Sequence, residues 1–517
     1  MNKLKITIIV SLIVLSILFL IFIKYSRNES EHDTDIVAYV GKQDISARDF
    51  QLNYEFGFSL LKKTNDRKYS YLKYMINEVL LSQEGYRLGF DKSEKVKNQE
   101  KQLLRELLVE ELFRIKVDKN IIITDNEIKD AIKKSTVKWK LRYWVELKLK
   151  NAFDVYDSMQ VSGYTKVVQE ILADNPEENR NLKDLETGYL TWMDVPPELL
   201  EKIKNLKIGE ISRPIELQGV YLIVQITDIN RSGISSYDYQ NTYKRFKEIL
   251  FYREQKKKAA RFVAKFMNPK NVIVKGNEFR ILANALTEWK QKDSNPDKFL
   301  ESVGKAGKTE PALLKLKNNL GNIFVTFNNG NWNVKEFLNR FNLHSIKAKP
   351  LNKQLFRKQL KHQIGITIRN YFFVKEAISN GLDKSEDVVN QLDAWRNKWV
   401  YEEARRFYTK NIKIDNNEAK KYFDDHVSRY VTQNKKQPKF SEVVSQVKRD
   451  VYIEQAKRLL EKKIEQLKKF TLVKINRAVL DTITVADSDK PSDVNVFLFK
   501  SSSNRLAFPI VDPAWGL

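Results

Sequence analysis

The chain has 517 residues and a mass of 60.8 kDa, which at about 150 residues per domain points to roughly three to four modules. Apolar residues make up 42% of it, enough to build real cores and to exclude a disordered chain. Lys and Arg outnumber Asp and Glu by 91 to 66, a formal charge of +25. Cysteine is absent and there are four histidines, His32, His344, His362 and His426. That composition excludes disulfides, thiolate nucleophiles, zinc–thiolate sites and lipidated cysteines, and leaves little for imidazole chemistry.

The first element is apolar from Ile6 to Ile23, broken only by Thr7, Ser11 and Ser16, and Lys3 and Lys5 precede it. At about 1.5 Å per residue such a run just spans a hydrocarbon core of about 30 Å. A signal peptidase needs small residues, and Phe22-Ile23-Lys24-Tyr25-Ser26-Arg27 offers no such pattern. The reading is an uncleaved anchor at 6–24 with a cytoplasmic tip at 1–5 and the remainder exported; a cleaved signal peptide is the alternative. Lys3 and Lys5 favour that orientation, and Lys24 and Arg27 weigh against it.

Next comes a duplication. Gly89-Phe90-Asp91-Lys92-Ser93-Glu94-Lys95-Val96-Lys97-Asn98-Gln99 recurs as Gly381-Leu382-Asp383-Lys384-Ser385-Glu386-Asp387-Val388-Val389-Asn390-Gln391, with eight of eleven positions identical at an offset of 292. Glu110-Glu111 meets Glu402-Glu403 at the same offset, and Asn126-Glu127 meets Asn417-Glu418 after one gap. Ile45 to Phe50 resembles Trp332 to Phe337, each a short strand entering a helix through a Ser or Asn cap. Tyr252-Arg253-Glu254-Gln255 pairs with Tyr452-Ile453-Glu454-Gln455, now at an offset of 200. The changed offset places an inserted module in the first copy only. The spacing of Leu103, Leu104, Leu107, Leu108, Leu112 and Ile115 predicts an amphipathic helix. The expected organisation is a helical lobe at 36–135, a module at 136–232, and a return helix and strand at 233–281 completing the first lobe. A connector at 282–321, a second copy at 322–483 closed by its own return strand, and a tail at 484–517 follow. In the second copy the link Val431–Pro438 replaces the module.

Within the module, Val137 to Leu149 alternates, with Trp139, Leu141, Tyr143, Val145 and Leu147 on the buried face. Two helices follow, then Gly188-Tyr189-Leu190, then Val195-Pro196-Pro197-Glu198-Leu199. Lys207-Ile208-Gly209-Glu210-Ile211-Ser212 and a closing strand from Val220 to Asp228 complete a small α+β domain. This ordered series resembles a parvulin-type (rotamase) peptidyl-prolyl isomerase domain, and the helical lobe around it is similar to that of the SurA, PrsA and PpiD chaperone-foldases. PpiD-type members keep an uncleaved anchor. The resemblance implies an α+β, mostly helical fold, with two helical chaperone lobes, one inserted parvulin-like domain and an N-terminal transmembrane helix. It also implies unfolded or nascent exported polypeptides as partners. Where the family carries two active-site histidines, this chain has Tyr143 and Tyr221. These are the candidate catalytic positions, and Val195 and Leu199 are the candidate substrate-binding positions. Two phenols could form another hydroxyl pair at the pocket or serve as core aromatics; the activity implied is weak or absent.

The basic residues are spread along helices, as in Lys256-Lys257-Lys258, with no base-reading motif, so no nucleic-acid partner is expected. There is no phosphate loop, nucleophile elbow or metal-spaced cluster, so neither cofactor nor metal is expected. The expectation is a chaperone anchored in the cytoplasmic membrane with its bulk on the outer, periplasmic side. An active isomerase for secreted or outer-membrane proteins and a scaffold subunit for one fixed partner are the alternatives.

Overall fold

A computed structural model describes residues 35–516 except 175–180, 218, 232, 234–235, 293–294, 347–352, 432–437, 486–498 and 501–504. The expected anchor and most of the expected 431–438 link lie outside the described residues. Among the described residues no helix is long and apolar enough to cross a membrane.

In chain order, β1 (Ile36–Val40) and β2 (Gln43–Ser46) form a hairpin leading into α1 (Ala47–Phe56). The Ser46 hydroxyl caps α1 by accepting the Asp49 amide at 2.9 Å. Three helices follow: α2 (Arg67–Arg87), α3 (Glu94–Lys116) and α4 (Asp125–Ser135). Thr124 and Glu127 close a reciprocal cap at the start of α4. The module holds β3 (Val137–Glu146), α5 (Leu149–Ser162), α6 (Tyr164–Asp174), β4 (Glu186–Thr191), α7 (Pro197–Ile203), β5 (Ile215–Leu217) and β6 (Val220–Arg231). Then come α8 (Ser236–Met267), β7 (Ile273–Val274), α9 (Gly276–Lys292), α10 (Phe299–Lys305) and α11 (Pro311–Asn318). The order of the opening segment now returns: β8 (Ile323–Phe327), β9 (Gly330–Asn333), α12 (Val334–Leu338), α13 (Lys353–Ser379), α14 (Glu386–Thr409), α15 (Asn416–Asp425), α16 (Phe440–Lys468), β10 (Val473–Ile475) and α17 (Arg477–Thr482). The fold is α+β and mostly helical.

The repeated motif turns the chain in the same way at both places. Gly89 between α2 and α3, and Gly381 between α13 and α14, have φ of 78° and 70°, a left-handed conformation that costs an L side chain energy. That requirement explains the identical glycine. Asn333 caps α12 with Glu336 as Ser46 caps α1 with Asp49.

One unit takes the chain up to Leu112, Val274–Val325 and Asn331 onward; the other takes Phe113–Ile273 and Thr326–Gly330. In the first unit the return strands do not go where the sequence analysis expects. β10 pairs antiparallel with β1, with Ala38 opposite Ile475 and Val40 opposite Val473. The Lys275 amide, just after β7, donates to the Phe324 carbonyl of β8 at 2.8 Å, and β7 joins the β8–β9 hairpin. The strand that the sequence analysis assigns to each lobe's return therefore lies in the sheet it assigns to the other. The sequence cannot separate the two arrangements, because Ile273-Val274 and Val473-Lys474-Ile475 are alike and fit either sheet edge.

The two copies also meet through their helices. Gly85 of α2 lies so close to α14 that an added Cβ would sit 2.5 Å from Val400 Cγ1 and 2.8 Å from the Val400 carbonyl oxygen. Leu103 and Leu107 of α3 share one cluster with Trp395 and Trp399 of α14, their own counterparts 292 residues on. Glu100 pairs with Arg396, while the counterparts of those two, Leu392 and Leu104, lie in the cluster. Reciprocal contacts of this kind are the pattern of an isologous interface. The main core of this unit gathers Val37, Phe50, Tyr71, Leu72 and Leu80 from the first copy. Tyr401, Leu460 and Ile464 come from the second, and Val511 and Trp515 from the tail.

The second unit contains the module, α4 and α8. The module is a four-stranded sheet in the order β4-β3-β6-β5. Ile128, Ala131 and Ile132 of α4 pack with Phe246 of α8 and with Trp192 after β4. The Trp192 indole donates to the Ala131 carbonyl at 2.9 Å, and the Arg253 guanidinium lies 4.5 Å over the same ring while donating to the Met193 carbonyl.

Candidate functional site

The module's sheet is covered on both faces, which the strict alternation of β3 does not predict. Trp139, Leu141, Val224 and Ile226 pack on one side with Val195, Leu199 and Ile203. Trp144 and Ile223 pack on the other with Met159, Tyr164, Val167 and Val168 of α5 and α6. Lys140 and Arg142 sit among them as the partners of Glu186. The hydrogen bond from Arg142, at 2.6 Å, holds the Glu186 carboxyl below the usual carboxylate range.

Val195 and Leu199 are 2% and 6% exposed. They belong to the apolar cluster beneath the sheet. Tyr143 is half-buried and its hydroxyl donates to the Asp184 carbonyl at 3.4 Å. The Tyr164 hydroxyl, buried and pushed well above its ordinary pKa by that burial, donates to the Tyr143 carbonyl at 2.8 Å and fixes the strand there. Tyr221 does not join Tyr143. In the β3–β6 ladder Tyr143 faces Val224 and Glu146 faces Tyr221. Directly opposed residues share a face and successive residues alternate, so the two phenols, three positions apart in the ladder, point to opposite faces.

What the structure brings together instead is apolar and exposed. Tyr143 and Val145 line a shallow depression of about 450 Å³ with Asp184 and Leu185. The apolar series continues past the end of β3 into solvent: Val145 is 39% exposed, Leu147 78%, Leu149 46% and Phe153 41%. Tyr143, Val145 and Leu147 keep the same alternation, and Leu149 and Phe153 stand four apart on α5, hence on one helix face. The sequence holds the alternation but gives no sign of where burial stops. Asp184 and Leu185, brought in by the turn before β4, carry no motif. Such a surface offers adaptable burial to an extended apolar chain and holds no group placed to act on it covalently.

No protein-family model matches the chain, and no curated protein matches it in sequence. Among solved structures it is similar to the peptidylprolyl isomerase PrsA of Bacillus anthracis, with 16% identity over 37% of this chain and 96% of that one, at a TM-score of 0.21. The foldase protein PrsA of Streptococcus pneumoniae matches at 14% identity over 41% and 85%, with a TM-score of 0.22. A SurA-like chaperone structure from Campylobacter jejuni matches at 14% over 46% and 100%, with a TM-score of 0.19. Identities and TM-scores at this level leave the activity of this chain to be argued from its own residues. The chain is similar to PrsA and to SurA-like chaperones.

Proposed function

We propose that the chain is a membrane-anchored, exported chaperone-foldase that binds unfolded polypeptides, and that its parvulin-like module keeps a binding face without prolyl isomerase turnover. The observation that carries this reading is the exposed apolar series Val145, Leu147, Leu149 and Phe153 beside the Tyr143 depression. Full burial of one large apolar side chain contributes about 1.5–3 kcal/mol, so two anchors account for a usable part of a micromolar affinity of about 8 kcal/mol. The scaffold is read as a duplicated lobe, supported by the repeated element order, the matching Gly89 and Gly381 turns and the 292-residue offset shared by the repeated motif and Glu110-Glu111. Its basic surface, from a net charge of +25, favours encounter with acidic clients and with an anionic membrane face.

Binding of a labelled, permanently unfolded polypeptide to the full chain tests the face. Leu147→Asp with Phe153→Asp is expected to weaken it roughly tenfold while leaving the folded signal unchanged. Undiminished affinity would remove the face from the account. The anchored, outward topology rests on the apolar stretch 6–23. Protease added to spheroplasts is expected to digest everything after about residue 25 and spare the tip; a mature form beginning near residues 26–31 would replace the anchor by a signal peptide.

A further inference from the structure

Strand β10 stands at the edge of its sheet, in the order β10-β1-β2. Toward β1, the Leu472 carbonyl accepts the Gly41 amide at 2.8 Å, Lys474 faces Tyr39, and the Asn476 amide donates to the Val37 carbonyl at 2.9 Å. In an antiparallel ladder the residues between these turn their N–H and C=O the other way. Val473 and Ile475 therefore present two amides and two carbonyls on the open side, where no described strand pairs with them.

A depression of about 410 Å³ runs beside this edge, bounded by Tyr69, Lys73, Ile76 and Asn77 of α2 and by Val473 and Ile475. Phe470 and Leu472, on the chain entering β10, are 90% and 76% exposed. Shortness and a lysine are ordinary protection for an edge strand. Neither accounts for the depression, or for two large apolar side chains left in solvent at the strand's entry. The charge around the edge is basic. Lys468 pairs with Glu465, and Arg477 with Asp66 and Asp481. Lys73 and Lys474 instead lie over aromatic rings, 4.3 Å from Tyr69 and 5.9 Å from Tyr39.

The alternation of β10 sets what an added strand must carry. Val473 and Ile475 are half-buried against the first unit's core, while Leu472 and Lys474 are exposed. Side chains of an added strand alternate in the same way, so every second one enters the depression and those between them lie beside Lys474. The first set suits apolar residues and the second acids, since opposite charges across two strands attract. A second copy of this chain, at a net charge of +25, would bring the same lysines together.

We propose that the open edge of β10 takes an added β-strand from an acidic partner polypeptide, a segment in which apolar residues alternate with Asp or Glu. Main-chain hydrogen bonds to Val473 and Ile475 hold it, and Lys474 and Lys73 select its charge. This selective site goes beyond the chaperone reading and is independent of the apolar face of the module.

The test uses the full chain and a labelled peptide of alternating valine and glutamate. Val473→Pro removes one outward amide and none of the bonds to β1, and is expected to weaken binding roughly tenfold. Methylating the peptide's amides at alternate residues should weaken binding to the wild type as much, which decides the matter if the proline variant loses its helical circular dichroism. Lys474→Glu, at an exposed position, should cost about two- to fivefold and shift preference toward the same peptide with lysine in place of glutamate. Wild-type chain that does not bind the glutamate peptide, or binds both peptides equally, overturns the proposal. So does full affinity for the methylated peptide or in a folded Val473→Pro chain. Loss of binding in Leu147→Asp with Phe153→Asp would place the peptide on the module and also overturn it. Wild-type chain that binds this peptide but no permanently unfolded polypeptide would sink the chaperone reading and support this site.

Discussion

Replacing Glu84 with alanine is expected to destabilise the first unit by about 1–3 kcal/mol, the cost of leaving the donors around a buried carboxylate without their partner. Glu84 stands on α2 with its side chain 2% exposed. Arg87 binds it with two hydrogen bonds of 2.6 and 2.9 Å, Tyr408 of α14 donates at 2.5 Å and Lys463 of α16 lies at 2.9 Å. One carboxylate thus ties α2 of the first copy to two helices of the second. The Arg87 hydrogen bonds first, then those of Tyr408 and Lys463, hold its pKa down from 4.5 to about 2. A group whose folded pKa is depressed contributes stability that is present above its unfolded pKa and is lost as pH falls through the folded value. Wild-type stability should therefore fall between about pH 4.5 and pH 2, and Glu84→Ala should lack that part of the acid dependence. Denaturant titrations of both chains across this range measure it. Matching curves with equal midpoints would show that the cluster contributes nothing.

Prolyl isomerisation by the full chain is expected to stay at the spontaneous rate. The uncatalysed step has a barrier of about 18–20 kcal/mol and takes tens to hundreds of seconds, so even modest catalysis is visible. Lowering that barrier needs a proline ring held in an apolar pocket and polar groups converging on the twisted amide. Here Val195 and Leu199 are buried beneath the sheet, Tyr143 is bonded to the Asp184 carbonyl and the ladder sends Tyr221 to the other face. Tyr143→Phe and Tyr221→Phe should leave the rate unchanged, because neither hydroxyl has an amide to act on. Wild-type turnover well above background and lost in both variants would make the active-isomerase reading correct.

Much of this architecture was written in local signals. The glycine of the repeated Gly-x-Asp-Lys-Ser-Glu turn marks a left-handed position, and the periodicity of Leu103 to Ile115 marks the helix, so the order of elements could be read twice. Asn329 before Gly330 announces the β8–β9 hairpin and takes a φ of 65°. The exchange of return strands was not legible, because β1 and β10 are joined only through the whole intervening chain and the alternative partner is nearly the same sequence. The placement of Tyr221 opposite Glu146 depended on the register between β3 and β6, which alternation along one strand does not encode. The tail was read only as a tail; Val511 and Trp515 gain their meaning from Asn53, Tyr74 and Glu78, more than 400 residues earlier in the chain.

The most direct test of the central claim is aggregation of an unrelated, chemically unfolded protein, followed by light scattering with and without the full chain. At equimolar chain, scattering is expected to fall substantially, and the suppression should be weakened by Leu147→Asp with Phe153→Asp but unaffected by Tyr143→Phe. Scattering unchanged by the wild-type chain, under conditions where the chain itself stays folded, would contradict the chaperone reading and favour a scaffold for one fixed partner.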